Sequence, residues 1–350
     1  MQINREPKMP AVIKDLRPER DEKFARIISV GGYRPPRIVT NAEVCERIDS
    51  TDEWIKERSG IESRRWADPT ESVVDMAVKA AEKAISNAKI TSEQISAVIV
   101  ATITYPYQTP SAATDVALRI GNPKAAAFDI SAACAGFCYG VGLANDLIRG
   151  GTAEYVLVIG VEKLTDFIDL DDRSIGFLFA DGAGAVIIGP SSTRGIGPTV
   201  WGSDANAREA INQKSSWLSL KPGDVHENPD LKWPDLQMQG QTVFRWAVWQ
   251  MAPIATKALE AAGVAAADLD AFIPHQANAR IIDAMVKALA LPSHVPVSKD
   301  IKNSGNTSAA SIPLAMEAML ESGEVASGGT ALLIGFGAGL VYAAQVVQLP

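Results

Sequence analysis

Five stretches of the chain are almost wholly apolar, with no alternation of polar residues: "SAVIVAT" (96–102), "YVLVIG" (155–160), "AVIIGP" (185–190), "DAFIPH" (270–275) and "TALLIGF" (330–336). Runs of this kind read as strands buried on both faces, which is the condition of strands in a sheet covered by helices on either side. Segments with helical spacing of apolar residues lie between them. "AGFCYGVGLANDLIRGG" (135–151) is one, and Gly150-Gly151 supplies its C-terminal stop. Alternating strands and helices predict an α/β fold.

The pattern also repeats. Residues 81–102 ("AEKAISNAKITSEQISAVIVAT") and 255–276 ("ATKALEAAGVAAADLDAFIPHQ") align at a constant offset of 255 − 81 = 174. Ala81, Lys83, Ala84 and Ala88 meet Ala255, Lys257, Ala258 and Ala262, and Ile99 meets Ile273. A second echo pairs "VLVIG" (156–160) with "ALLIG" (331–335). Two halves with one plan are therefore expected, 25–195 and 196–350, with equivalent strand ends meeting at one site. Residues 1–24 read as a polar extension. Residues 200–240, rich in Pro, Asp, Asn and Trp, break the period and read as a long loop or lid, packed by Trp201, Trp217 and Trp233.

Charge and cysteine count narrow the function classes. Lys plus Arg is 33 and Asp plus Glu is 41, a net charge of −8, which disfavours nucleic acid as the main partner. Three cysteines (Cys45, Cys134, Cys138) are too few for a disulfide framework and fit a reducing cytoplasm. The first residues are too charged for a signal peptide, and no apolar run approaches membrane-spanning length. Nothing calls for a metal or a resident cofactor.

The candidate chemistry lies on corners of this pattern. In "FDISAACAGFCYG" (128–140), Cys134 sits where a strand gives way to a helix. Two readings fit: a buried structural cysteine, or a nucleophile whose thiolate is favoured by the helix N-terminus. Cys138, four residues on, reads as core, and Cys45 as half-buried on a short helix. Of three histidines, His226 and His294 lie in Pro-rich loops. His275 ends an apolar strand and reads either as a satisfied core imidazole or as a catalytic one. Asn306, in "KNSGNTSAASIP", reads as a turn or N-cap residue or as a site amide. "GFGAGL" (335–340) lacks the spacing and the Lys of a phosphate loop, leaving backbone N–H groups lining a site as its other reading.

Taken together, "STDEWIKERSGI", "DISAACAGF", "DDRSIGFLFADGAGAVIIG", "PHQAN", "NSGNTSAASIP" and "GFGAGL" resemble the β-ketoacyl-acyl-carrier-protein synthase III family of the thiolase superfamily, from about residue 25 to the C-terminus. The resemblance implies a thiolase-like fold of two pseudo-symmetric halves in an α-β-α-β-α stack, and a homodimer. It implies a Cys134–His275–Asn306 triad, with the backbone N–H groups of Cys134 and Ala338 as an oxyanion hole. Acyl-CoA and a malonyl-acyl carrier protein are the implied substrates, with no nucleic acid or membrane partner.

On the same resemblance, Trp54, Arg58, Ser59, Arg173 and Asn278 line a coenzyme A tunnel. Arg280 and Lys287 receive the carrier protein, and Thr109 reaches the partner's acyl pocket. Many relatives carry Gly where this chain has Ala338. A condensing enzyme of secondary metabolism, a Cys-His hydrolase and a non-catalytic acyl-CoA scaffold are the competing readings. The hydrolase is disfavoured because no carboxylate is evident as a third partner.

Overall fold

The computed structural model describes residues 23–220 and 233–350, so His226 and most of the expected N-terminal extension lie outside the described residues. In chain order the strands are β1 (Phe24–Tyr33), β2 (Ile38–Thr40), β3 (Ser63–Arg65), β4 (Ile95–Ala101), β5 (Ala126–Ile130), β6 (Tyr155–Lys163) and β7 (Asp181–Ser191). They continue with β8 (Val200–Ser203), β9 (Ile211–Gln213), β10 (Leu236–Met238), β11 (Ala271–Pro274), β12 (Thr330–Gly337) and β13 (Val341–Gln348). All five apolar runs form strands: β4, β6, β7, β11 and β12.

Two main sheets carry the fold. The first has the order β1-β7-β6-β4-β5 and the second β11-β12-β13-β8. Read in reverse, the second sheet is β8-β13-β12-β11, which matches β1-β7-β6-β4 strand for strand. The directions match as well: β4 and β6 are parallel, as are β11 and β12, while β7 and β13 run antiparallel to their neighbours. The first sheet alone has β5 as a full edge strand. In the second, a single parallel bridge between Phe272 and Val297 stands in its place.

Helices make the other three layers. Gly136–Arg149 and Ser311–Glu321 lie between the sheets, and one core joins Phe137, Val141 and Ile148 to Ile312 and Met316, with Val158 and Leu333 from the two sheets. Val73–Ala88 and Ala112–Arg119 cover the outer face of the first sheet. Gly240–Ala262 and Ala279–Ala288 cover the second. Local chemistry sets the helix ends. Ser72 and Asp75 form a reciprocal capping box, and Gly263 closes helix Gly240–Ala262 with φ +68°.

Residues 200–240 depart from the expected loop. They contain β8, which is the edge of the second sheet, and the β9–β10 ribbon. A four-residue strand flanked by polar residues gives too short a pattern to read. The tryptophans make ring contacts but stay exposed: Trp217 lies 5.0 Å from Trp233 and Tyr139 lies 5.1 Å from Trp201, centroid to centroid, with Trp201, Trp217 and Trp233 at 49, 41 and 53% exposure.

The halves interlock at two glycines related by 335 − 160 = 175. A Cβ on Gly160 of β6 would stand 2.1 Å from the Ala309 carbonyl oxygen, and one on Gly335 of β12 would stand 2.9 Å from the Cys134 oxygen. Each central strand thus admits the tight turn of the opposite half against bare backbone. Overpacking of this kind costs about 1–3 kcal/mol. Gly160→Ala is expected to lower the denaturation midpoint accordingly, read by chemical unfolding; an unchanged midpoint would show that the turn can retreat.

Candidate active site

The two interlocking turns carry the chemistry. Past β5 the chain tightens into a 3₁₀ turn, Ala133–Ala135, and helix Gly136–Arg149 follows. Its counterpart is Ser308–Ala310, followed by helix Ser311–Glu321. Each turn opens on a non-glycine residue with positive φ, Ala133 at +44° and Ser308 at +49°. Such backbone persists only where packing over-determines it, and it clusters at functional sites. Asp129, the acidic residue nearest Cys134 in sequence, is occupied elsewhere. It accepts from the N–H groups of Ala112 (2.7 Å) and Ala113 (2.8 Å), capping the neighbouring helix.

Cys134, His275 and Asn306 line one cavity of ≈ 530 Å³, together with Ser308, Phe336, Gly337 and Ala338. Three distant segments therefore converge. His275 follows β11 directly, with its N–H on the Ile334 carbonyl (2.8 Å) and its ring edge-on to Phe336 at 5.3 Å. Its Nδ1 lies 2.7 Å from the Ser311 hydroxyl. That hydroxyl oxygen also accepts from the Gln276 N–H (3.3 Å); the tautomer in which the hydroxyl donates to Nδ1 carries its N–H on Nε2. Burial holds the imidazole down at about 3, so it is neutral.

Asn306 is fixed from its other end. Its Oδ1 accepts from the Ser308 N–H (2.9 Å), leaving the amide NH₂ to the cavity. Its backbone bonds Leu178 and Ala180 on either side. Gly305, just before it, has φ +68°, and a Cβ there would meet Arg64 Cβ at 2.8 Å and Ala180 Cβ at 2.9 Å. Only glycine brings the chain into this corner.

Two opposing effects act on the Cys134 sulfur, the helix N-terminus and burial. The residue is half-buried. Enclosure of its sulfur by protein pushes the thiol up to about 12, against smaller downward effects from the Ser308 hydroxyl and from backbone N–H.

A carboxylate is also present, contrary to the expected absence. Glu162, on β6, is fully buried and holds the Ser308 hydroxyl at 3.1 Å. It also accepts from the Thr104 hydroxyl (2.7 Å), the Thr102 hydroxyl (3.2 Å) and the Ile103 N–H (3.1 Å). Burial raises it to about 7 despite these bonds. Glu162, Ser308 and Ser311 were not singled out from sequence. The signal for Glu162 is an acidic residue that ends the apolar run "YVLVIGV" near the close of β6.

The remaining predicted residues divide by placement. Trp54, Arg58, Asn278 and Arg280 line the cavity. The guanidiniums of Arg58 and Arg173 lie 5.7 and 5.4 Å from the Trp54 ring, and Arg280 lies 5.1 Å from the Phe244 ring. Asn278 caps helix Ala279–Ala288 through the Arg280 N–H (2.9 Å) and donates to the Arg58 carbonyl (2.9 Å). Ser59 does not join them. Its hydroxyl is buried, bonded to the Ile55 carbonyl (2.7 Å) and the Ile61 N–H (3.2 Å), because it closes helix Asp52–Ser59 from inside. Lys287 and Thr109 are exposed and away from the cavity lining. His294 bonds the Ala267 carbonyl at 3.1 Å, far from the site in role, and Cys138 is core.

Comparison with known proteins gives the family of the chain. The family model for 3-oxoacyl-[acyl-carrier-protein] synthase III matches residues 128–205, and that for its C-terminal part matches 259–349. The β-ketoacyl-[acyl-carrier-protein] synthase III 1 of Streptomyces coelicolor is 57% identical, over 96% of this chain and 99% of that one. Among solved structures, a priming β-ketosynthase of a polyketide biosynthetic pathway is 47% identical with a TM-score of 0.92, covering 96% of this chain and 99% of that one. The 3-oxoacyl-[acyl-carrier-protein] synthase III of Aquifex aeolicus is 36% identical with a TM-score of 0.84, covering 93% and 99%.

Proposed function

The chain belongs to the 3-oxoacyl-[acyl-carrier-protein] synthase III family, and we propose that Cys134, His275 and Asn306 carry its condensation of an acyl-CoA primer with malonyl-acyl carrier protein. It is an acyltransferase that initiates fatty-acid synthesis. The observation supporting these residue roles is the convergence of the three side chains on one cavity.

The reaction runs in two stages. Cys134 attacks the primer thioester and keeps the acyl group, with CoA as leaving group. The N–H groups of Cys134 and Ala338 hold the tetrahedral oxyanion. Malonyl-carrier protein then enters and loses CO₂. Charge moves onto its thioester oxygen, where the neutral His275 Nε2–H and the Asn306 NH₂ each donate a hydrogen bond. The carbanion attacks the acyl-cysteine and gives a β-ketoacyl product. Decarboxylation makes the carbanion, so no base is needed to remove a carbon-bound proton.

The cavity mouth suits coenzyme A. Trp54 offers a flat ring, and Arg58 and Arg173 beside it offer cations for phosphates and planes for the adenine. Arg280 and Lys287, both exposed on one helix, offer a basic face to an acidic carrier protein. Three free thiols fit the cytoplasm, and no helix among the described residues is long and apolar enough to cross a membrane.

A second copy of the chain fits the β5 edge. That strand is the least buried of its sheet, and Phe128 on it, Leu118 and Tyr107 are exposed (38, 61 and 66%). Exposed Thr109, shortly before helix Ala112–Arg119, is the residue this reading sends into a partner's acyl pocket. A homodimer is expected in sedimentation equilibrium, twice the 37.2 kDa chain mass; a monomer at micromolar concentration overturns it.

The test of the function is direct. Mixing with a panel of acyl-CoA primers is expected to add one acyl mass at Cys134, and malonyl-carrier protein is then expected to release β-ketoacyl-carrier protein. The likeness to a polyketide priming synthase favours a second reading, with the same chemistry and a different carrier; the panel, run against both kinds of carrier protein, separates the two.

A further inference from the structure

Asn306 can donate to the enolate only if its amide faces the right way. A side-chain amide has one accepting end and one donating end, and a half-turn about its last bond exchanges them. A reversed Asn306 would set its oxygen against the charged enolate oxygen, which is worse than having no amide there. The Ser308 N–H decides the direction, because it donates to Asn306 Oδ1 at 2.9 Å. That N–H is aimed by a backbone that serine seldom adopts, with φ +49°. Something must hold Ser308 in that conformation.

The Ser308 hydroxyl is where it is held. It donates to Glu162 Oε1 at 3.1 Å, from the second half of the chain to the first. Glu162 is fully buried and is itself pinned. The hydroxyls of Thr102 (3.2 Å) and Thr104 (2.7 Å) donate to its Oε2, and the Ile103 N–H reaches both oxygens, at 3.3 and 3.1 Å. Each threonine hydroxyl also accepts a backbone N–H, Thr102 from Thr104 (3.2 Å) and Thr104 from Lys163 (2.9 Å), which directs its proton to the carboxylate. Oε2 is thus filled from the exit of β4, and Oε1 is turned to Ser308.

No cation pairs with this carboxylate among the described residues. Lys163, next along β6, gives its ammonium to the Pro69 carbonyl (3.2 Å) and to Asp166 (3.2 Å). Glu162 therefore depends on its hydrogen bonds, and a buried charge holds such donors firmly. Both polar hydrogens of Ser308 are spent in this chain of contacts, its O–H on Glu162 and its N–H on Asn306.

We propose that Glu162 is a positioning residue for decarboxylation. Through the Ser308 hydroxyl it locks the left-handed start of the turn Ser308–Ala310, and so keeps the Asn306 NH₂, and not its oxygen, toward the enolate. The inference rests on the donor role given to Asn306 above. Glu162 acts through Ser308 and does not touch the substrate.

The experiment compares CO₂ release from malonyl-carrier protein with single-turnover acylation by acyl-CoA, read by intact mass. Ser308→Ala and Glu162→Ala are each expected to slow decarboxylation roughly 10- to 10²-fold, the scale of a misplaced group, while acylation of Cys134 moves by no more than about threefold. The same changes are then made beside Asn306→Ala. With no amide left to orient, Ser308→Ala is expected to change the remaining decarboxylation by less than about twofold. A merely structural role would keep its full factor in that background. Thermal melting identifies the folded variants. Should Glu162→Ala fail to fold, Ser308→Ala carries the test, since it leaves the donors from residues 102–104 on the carboxylate. Ser308→Ala decarboxylating within about threefold of the natural rate, or losing the same factor with and without Asn306, overturns the proposal. Unchanged decarboxylation in Asn306→Ala alone would overturn the donor role of Asn306 instead, so the two failures are distinct.

Discussion

Cys134→Ala is expected to take up no acyl group from acyl-CoA, and its condensation rate is expected to fall by a factor on the order of 10⁶, the scale of deleting the nucleophile in other covalent enzymes. The loss reflects the chemistry of this corner alone. Removing one sulfur from a half-buried turn is a small packing change, so thermal unfolding moves by about 1 kcal/mol or less. The variant should still decarboxylate malonyl-carrier protein, because His275 and Asn306 hold their positions through Ser311 and Ser308, not through the sulfur. Intact-mass spectrometry and CO₂ release report the two activities separately. An acyl adduct on the variant would move the nucleophile elsewhere; loss of decarboxylation would mean that the sulfur organises the donors.

The origin of that separation explains how much was legible beforehand. The buried strands announce themselves, because a strand covered on both faces needs an unbroken apolar run, and β4, β6, β7, β11 and β12 all have one. The repeat is legible for the same reason: both halves solve one packing problem at an offset of about 174 residues. β8 was not legible, since four residues at an edge carry too little pattern. The triad positions stand out because each breaks a rule, a thiol on the turn between strand and helix, an imidazole closing a buried strand or an amide in a glycine turn. Glu162 breaks the same rule, an acid at the end of an apolar strand, yet its meaning depends on Ser308 arriving from 146 residues away. Pairings of that kind are three-dimensional facts. The same limit applies to the thiol. The local sequence places Cys134 at a helix start, which favours a thiolate, while burial in the folded protein acts in the other direction. Ser59 shows the reverse, a polar residue beside tunnel residues whose helical position turns it inward.

Asn306→Ala and His275→Ala should separate the two half-reactions in the opposite sense. Each removes one donor from the enolate oxygen, and loss of such a donor costs about 2.7–4 kcal/mol, or roughly 10² to 10³ in rate. Condensation should fall by that factor in each variant. Acylation of Cys134 should stay within a few-fold, because its oxyanion rests on backbone N–H groups that neither side chain supplies. The protonation state sharpens the test. A folded-state value of about 3 keeps His275 neutral above that pH, so decarboxylation should show no histidine limb between pH 5 and 8, even though a free imidazole titrates there. The double variant is informative too. Two donors to one oxygen act on a single charge, so their losses should combine less than additively once either is gone. An equal fall in acylation and condensation for either variant would refute the division of labour. It would mean that the imidazole or the amide serves the tetrahedral oxyanion as well, and that the backbone of Cys134 and Ala338 does not hold it alone.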